Sequence, residues 1–257
     1  MKKSQDREKY KIYGDLLTAN IYSLKSGEKS ATVINYYSEN QELIEIQLKP
    51  ELSPSANAQR YYKLFNKAKS TEKHSREELT RAENELYYLE SVSEALSLAK
   101  TPADIDEIKE ELSEQGYLKT NKKKDKKKQT KASPLKFVTS DGYTVFVGRN
   151  NKENDFLTLK SSYSTDIWLH TKIIPGSHTV IKTNGSSEAT ETAIYEAAVL
   201  AAYHSKAKNS AQVPVDYTNI KNVKKPSGAK PGLVIYDNYN TIYVKPDENL
   251  VEALRNN

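Results

Sequence analysis

Between residues 7 and 25 the apolar positions Tyr10, Tyr13, Leu16, Leu17, Ile21 and Leu24 fall at helical spacing, and Gly27 stands just past the end. That pattern predicts an amphipathic helix closed by a residue free to turn left-handed. The period then changes to two. Residues 31–37 and 42–49 read as strands, with Ile44, Ile46 and Leu48 on one face and Glu45 and Gln47 on the other. With residues 38–41 as the turn, this predicts a hairpin. After Pro50 and Pro54 the spacing returns to threes and fours. Leu79, Ala82, Leu86, Leu89, Val92, Leu96 and Ala99 make a coiled-coil-like seam, with Ser55 or Asn57 as candidate cap and an end near Lys100. Thr101-Pro102 restarts a helix, Thr as cap and Pro in the first helical position, and Ile105, Ile108 and Leu112 give it an apolar face before Gly116. Helices joined by so short a loop pack antiparallel.

From Pro134 the character changes. Residues 136–140 and 143–147 flank Asp141-Gly142, a strong hairpin signal. Residues 148–155 read as a polar loop and 156–162 as a helical turn. Residues 166–171 and 178–183 read as strands about Pro175-Gly176. Residues 187–207 read as a helix with an Ala-rich face, and 213–218 as a strand. Residues 221–232 read as a basic Pro/Gly loop, and 233–236 with 241–245 as a last hairpin. The expected fold class is α+β: a helix and β-hairpin (1–54) lead into an antiparallel helical coiled-coil arm (55–118). A lysine-rich linker (119–133) then precedes a mainly antiparallel sheet domain with one long packed helix (134–257).

Charge sharpens this division. Residues 55–115 hold thirteen acidic against nine basic residues, whereas nine lysines stand between 119 and 136 beside Asp125 alone. Net charge is +5 and mean hydropathy −0.77. Segregated positive charge suits a polyanionic partner, and equally a solvated linker. The absence of cysteine excludes disulfides and thiolate chemistry and fits a reducing compartment. No run approaches the ~20 apolar residues of a membrane span. The first eleven residues carry no secretory signal, so the chain is expected to be cytoplasmic.

Candidate chemistry is sparse. His170 and His178 lie near Asp166 about the Pro-Gly turn, but no compact ligand cluster accompanies them, and Ser177-His178 lacks a nucleophile elbow. Phosphate-binding and dinucleotide glycine motifs are absent. No metal, cofactor or catalytic residue is therefore expected. Basic and aromatic residues do interleave in the C-terminal part. Lys160, Lys172, Lys182, Lys221, Lys224, Lys225 and Lys230 can reach phosphates, while Trp168 and several of the eighteen tyrosines offer stacking faces or serve as core. The loop from Lys221 to Gly232 holds four lysines on a Pro/Gly-stiffened backbone, which suits a loop facing solvent or a polyanion.

Asp166-Ile-Trp-Leu-His-Thr-Lys172 followed by Ile-Ile-Pro-Gly-Ser-His178 resembles the central signature of the NFACT-R RNA-binding module of the NFACT family, also named the fibronectin-binding protein A family. Gly148-Arg-Asn-Asn-Lys-Glu-Asn-Asp155, with Leu157-Thr158 and Lys160, and Val223-Lys-Lys-Pro-Ser-Gly-Ala-Lys-Pro-Gly232 resemble the same module. Tyr13-Gly-Asp-Leu-Leu-Thr-Ala-Asn20 and Asn57-Ala-Gln-Arg-Tyr-Tyr62 resemble the segment leading into the family's coiled-coil middle domain. Ile173 departs from the pattern, where the family more often carries an acidic residue. The chain reads as the family's C-terminal half.

The resemblance implies a ribosome quality-control factor that is not itself an enzyme. It would bind an obstructed large ribosomal subunit, recruit alanyl-tRNA and promote alanine tailing of the stalled chain while the ribosome supplies the peptidyl transfer. The RNA-contacting residues implied are Asn150, Lys160, Asp166, Trp168, His170, Lys172, Ser177, His178, Lys221, Lys224, Lys225 and Lys230. Two alternatives remain. One is an adhesin for fibronectin or fibrinogen, surface-exposed without a signal peptide. The other is a hydrolase or metal enzyme built on His170, His178 and Asp166.

Overall fold

The computed structural model describes residues 2–119, 133–186 and 188–256. The lysine-run linker expected at 119–133 lies almost wholly outside them. The chain packs as two compact units, 1–83 and 84–257.

The first unit begins with α1 (Lys2–Ala19), then the antiparallel pair β1 (Ser30–Ile34) and β2 (Leu43–Gln47), and contains the first part of α2 (Pro54–Leu98). Leu16 and Leu17 from α1, Val33 and Ile46 from the hairpin, and Ala58 and Tyr61 from α2 form its core. Ser53, not Ser55 or Asn57, caps α2: its hydroxyl accepts from the Ala56 amide, with Pro54 as first helical residue. Asn57 is buried instead, and its amide pins both the N–H and the carbonyl of Lys49. Gly14 lets α1 approach closely, because a Cβ there would stand 3.0 Å from the Tyr62 ring.

In the second unit α2 runs on unbroken, and α3 (Pro102–Glu114) folds back on its last turns through Tyr88, Val92, Ala95 and Ile108. Thr101 and Asp104 form a reciprocal capping box at the start of α3. The remaining strands are β3 (Leu135–Val138), β4 (Thr144–Val147), β5 (Ile167–Thr171), β6 (Thr179–Lys182), β7 (Val213–Asn219), the short β8 (Val223–Lys224) and β9 (Ile235–Tyr236), and β10 (Asn240–Val244). Six of them form one antiparallel sheet in the order β10-β7-β5-β6-β4-β3. Helices α4 (Asn151–Leu159), α5 (Glu191–Tyr203) and α6 (Glu248–Asn256) complete the unit. The alanine face of α5 lies on the inward residues Ile167, Leu169, Ile181, Val213 and Val215, making the main core. On the opposite face Leu157 of α4 and Ile220 and Val223 cover Trp168 and Val180.

The fold class is α+β, as the pattern implies, with local differences. The expected polar loop at 148–155 is mostly helix α4, because Asn150 caps it and Glu153 and Asn154 are buried. The last hairpin does not form: β9 pairs with β8, and β10 with β7. A two-residue run beside an Asn-rich turn gives no local signal for its partner, so long-range register decides it.

Candidate nucleic-acid interface

Antiparallel pairing sets Trp168 opposite Thr218 and His170 opposite Asp216. It also sets Asp216 opposite Thr241 and Pro214 opposite Tyr243. Paired residues share a face and the strand period is two, so these residues and Lys172 populate the face away from α5. Buried at one end, this face opens progressively toward β10.

At the buried end Trp168 is 1% exposed. Its ring stacks on His170 (5.7 Å, 10°), meets His178 edge-on and packs against Tyr236. The His178 Nδ1 is 2.7 Å from the Thr158 hydroxyl, and its amide donates to Asn154 Oδ1. Burial pushes the pKa of His178 well below the usual imidazole range, with neighbouring His170 acting in the same sense; burial lowers His170 as well. Both rings are neutral near pH 7.

Midway, the buried Asp216 carboxylate accepts from the hydroxyls of Tyr236 (2.8 Å) and Thr241 (2.6 Å), with the Lys172 ammonium 3.5 Å away. Burial, then the Asp216 bond, raises the Tyr236 phenol. At the open end Lys172 stands over the Tyr239 ring, 4.8 Å from its centroid. Tyr239, Tyr243 and Ile173 are exposed, and Ile173 has φ +64°.

The basic loop meets the helical hairpin. Lys225 pairs with Asp155, whose other oxygen accepts from the Gly232 amide. Gly232 has φ +77°, and a Cβ there would come within 2.5 Å of Asn151 Oδ1. Lys230 pairs with Glu85 and with the Tyr117 hydroxyl. Further along, Arg149 joins Asp104 (2.5 Å) to Glu153 (2.5 Å), and Lys152 bonds Glu110 and Glu114. Asn151 donates to Ser91 and to Glu111, a buried carboxyl whose pKa burial raises. A cleft of about 750 Å³ beside these pairs is lined by Glu107, Glu114, Phe156, Leu159 and Lys160, among others.

The structure therefore sorts the expected RNA contacts. Lys160, Lys221 and Lys224 are exposed, and Lys172 is half-buried at the open end. Trp168 is a correction: it is core and offers no stacking face, because α4 and the 220–236 segment cover it. Asp166, Ser177 and His178 are corrected likewise. The Asp166 carboxylate is taken by Lys182 and the amides of Tyr163 and Thr183. Ser177 is buried, its amide donating to the His204 carbonyl. His170 is buried with Nε2 3.3 Å from the Gly176 carbonyl. Asn150 caps α4 and donates to Glu107. Lys225 and Lys230, expected to face a polyanion, are held in ion pairs. Among the described residues no three His, Asp or Glu side chains gather to hold a metal, and no helix is long and apolar enough to cross a membrane. Sequence reasoning missed Asp216, Tyr236, Tyr239 and Arg149. An acid flanked by Val215 and Tyr217 in a strand was the one signal for Asp216.

Comparison with known proteins adds lineage to this geometry. A family model described as NFACT N-terminal and middle domains matches residues 1–131, and one described as NFACT protein RNA binding domain matches residues 134–238. The Rqc2 homolog RqcH of Bacillus subtilis is 47% identical over 254 residues, which are 98% of this chain and 44% of that protein. The Rqc2 homolog RqcH of Streptococcus suis is 40% identical over 244 residues, 94% of this chain and 43% of that protein. The chain thus spans less than half the length of these relatives. A solved structure of the C-terminal part of the fibronectin/fibrinogen-binding protein from Streptococcus suis superposes with TM-score 0.71 and 32% identity, covering 98% of this chain and 89% of that one.

Proposed function

The chain belongs to the NFACT family, and from that membership we propose that it is the RNA-binding part of a ribosome-associated quality-control factor acting in the cytoplasm. The carrying observation is the match of an RNA-binding domain model to residues 134–238, the same domain whose exposed lysines Lys160, Lys221 and Lys224 supply charge for phosphates. In this reading the whole protein engages an obstructed large ribosomal subunit and tRNA and supports alanine tailing of the stalled chain. It positions substrates and is not an enzyme. The names of the Bacillus subtilis and Streptococcus suis relatives support the quality-control assignment.

The experiment is binding of this chain to tRNA and to large subunits at two salt concentrations, with a Lys221→Ala, Lys224→Ala variant beside it. The expected result is binding that weakens steeply with salt and weakens further in the variant, since each phosphate contact releases counterions. Absence of RNA and subunit binding at low salt would overturn the reading.

The name of the superposing Streptococcus suis protein favours a second reading, a chain that binds fibronectin or fibrinogen. Saturable fibronectin binding that survives physiological salt, without RNA binding, would put this reading first.

A further inference from the structure

We propose that Lys172, Ile173, Tyr239 and Tyr243 form a stacking site for an unpaired RNA nucleotide, its base on the tyrosine faces and its phosphate on the lysine. This rests on the RNA-binding reading and names the surface through which it acts.

Three observations carry it. First, the end of the sheet face toward β10 concentrates exposed apolar area: Ile173 is 84% exposed, Tyr243 61% and Tyr239 44%. They are not scattered. Lys172 donates its amide to the Pro214 carbonyl, Pro214 pairs with Tyr243, and the Lys172 ammonium reaches both Thr241 and the Tyr239 ring. A contiguous exposed apolar patch marks an interaction site.

Second, the site is held ready. Tyr239 lies edge-on to Tyr236 at 5.3 Å, and Tyr236 packs on the buried Trp168, so the ring is braced from the core side. Asp216 and Thr241 fix Lys172 beside it. At 3.5 and 3.3 Å these contacts are longer than an ammonium–phosphate hydrogen bond, so a phosphate oxygen can compete for the ammonium. A ring and a cation fixed before binding lose little freedom on meeting a ligand.

Third, Ile173 is a β-branched residue in the left-handed region, φ +64°, a conformation that such residues rarely adopt. The Thr171 hydroxyl bond to the Ile174 carbonyl (2.8 Å) and the Lys172 amide bond brace the turn on either side. Strain of this kind gathers where a ligand is clamped. A cation set against open aromatic faces matches a base with its phosphate, and a base must be unpaired and unstacked to offer its face.

The test measures affinity of the 257-residue chain for a short oligouridylate and for a duplex of equal length by fluorescence anisotropy. Variants are Tyr239→Ala, Tyr243→Ala, Tyr239→Phe and Lys172→Gln, with far-ultraviolet dichroism to confirm folding. We expect each tyrosine-to-alanine change to weaken oligouridylate binding about tenfold, Tyr239→Phe to retain it, and the duplex to bind less tightly. Lys172→Gln reduces the salt slope by about one. If Tyr239→Ala unfolds the domain, the more exposed Tyr243 decides. Unaltered affinity in a folded tyrosine-to-alanine variant overturns the site while the RNA-binding reading stands. No RNA binding by the parent chain overturns that reading and the site with it. Loss of fibronectin but not RNA binding in these variants would give the surface to a protein partner.

Discussion

The Lys230 ammonium stands 2.8 Å from the Glu85 carboxylate, with the rings of Tyr88 and Tyr117 4.6 and 4.4 Å from it. A lysine that the sequence offers to a polyanion is thus committed to the base of the helical hairpin. Burial alone would lower its pKa, but the bonds to Glu85 and Tyr117 outweigh that and the net direction is up.

Lys230→Ala is therefore expected to loosen the hairpin base and leave RNA affinity nearly unchanged. Amide exchange at residues 112–118 should quicken and the urea midpoint fall. Combining it with Glu85→Ala should lower the midpoint by less than the sum of the single effects, the mark of two residues in contact. Additive effects would show that the pair is incidental.

Trp168 is the only tryptophan, which makes fluorescence a direct report on the core. Because it is 1% exposed, acrylamide and bound RNA should both leave its emission nearly unquenched. Trp168→Ala is expected to cost about 3–5 kcal/mol of stability through the cavity it leaves. Trp168→Phe should cost less, since the indole N–H finds no acceptor among the described residues and its removal relieves a buried unpaired donor. RNA-dependent quenching would place the ring at the interface after all.

Acid should weaken the domain before any surface carboxylate matters. Burial holds His204 down at about 4, with the charges of Arg255 and Lys208 adding to it, and lowers His170 and His178 as well. The unfolded chain takes up protons near 6.5 while the fold refuses them, so the stabilisation is complete above that pH and is lost as pH falls toward 4. For His204 alone the loss between pH 7 and pH 5 is about 2 kcal/mol. Urea unfolding at the two pH values checks this, and His204→Gln should flatten the dependence by that amount.

Arg149 spans Asp104 of α3 and Glu153 of α4 with two different nitrogens of one planar group. A lysine offers a single point charge and cannot hold both. Arg149→Lys should therefore destabilise the second unit by about 2 kcal/mol, in the range of charge-assisted bonds lost from a partly buried site. Differential scanning calorimetry would read the drop, and an unchanged transition would show that solvent replaces these bonds.

Much of the fold was legible because it is set by neighbours in sequence. The Thr101-Pro102 restart, the Asp141-Gly142 hairpin and the alanine face of α5 are local patterns that local physics enforces. The expected seam of α2 is overturned: Leu79, Leu86, Leu89 and Leu96 are exposed, and α3 packs on Tyr88, Val92 and Ala95, of which the seam held Val92 alone. Residues 166–171 were legible as a strand, and its period of two puts Trp168 and His170 on one face of β5. Helix α4 was hidden because its polar residues point into the protein. Asn151 bonds Ser91 and Glu111, groups that only folding brings near, so the run looks like a loop.

The sequence by itself determined most of the helices and strands, α4 and α6 excepted, the α+β class, and that cations and aromatics share the C-terminal domain. Tertiary structure alone decided which of those side chains meet solvent. Burial of Trp168 depends on α4 and the 220–236 segment closing over β5. Capture of Lys225 and Lys230 depends on carboxylates 70 and 145 residues earlier in the chain. The exposure of Tyr239 and Tyr243 depends on β10 taking the sheet edge beside β7. Each is a meeting of residues far apart in sequence, and no local period encodes such a meeting because its free energy exists only once the chain has folded.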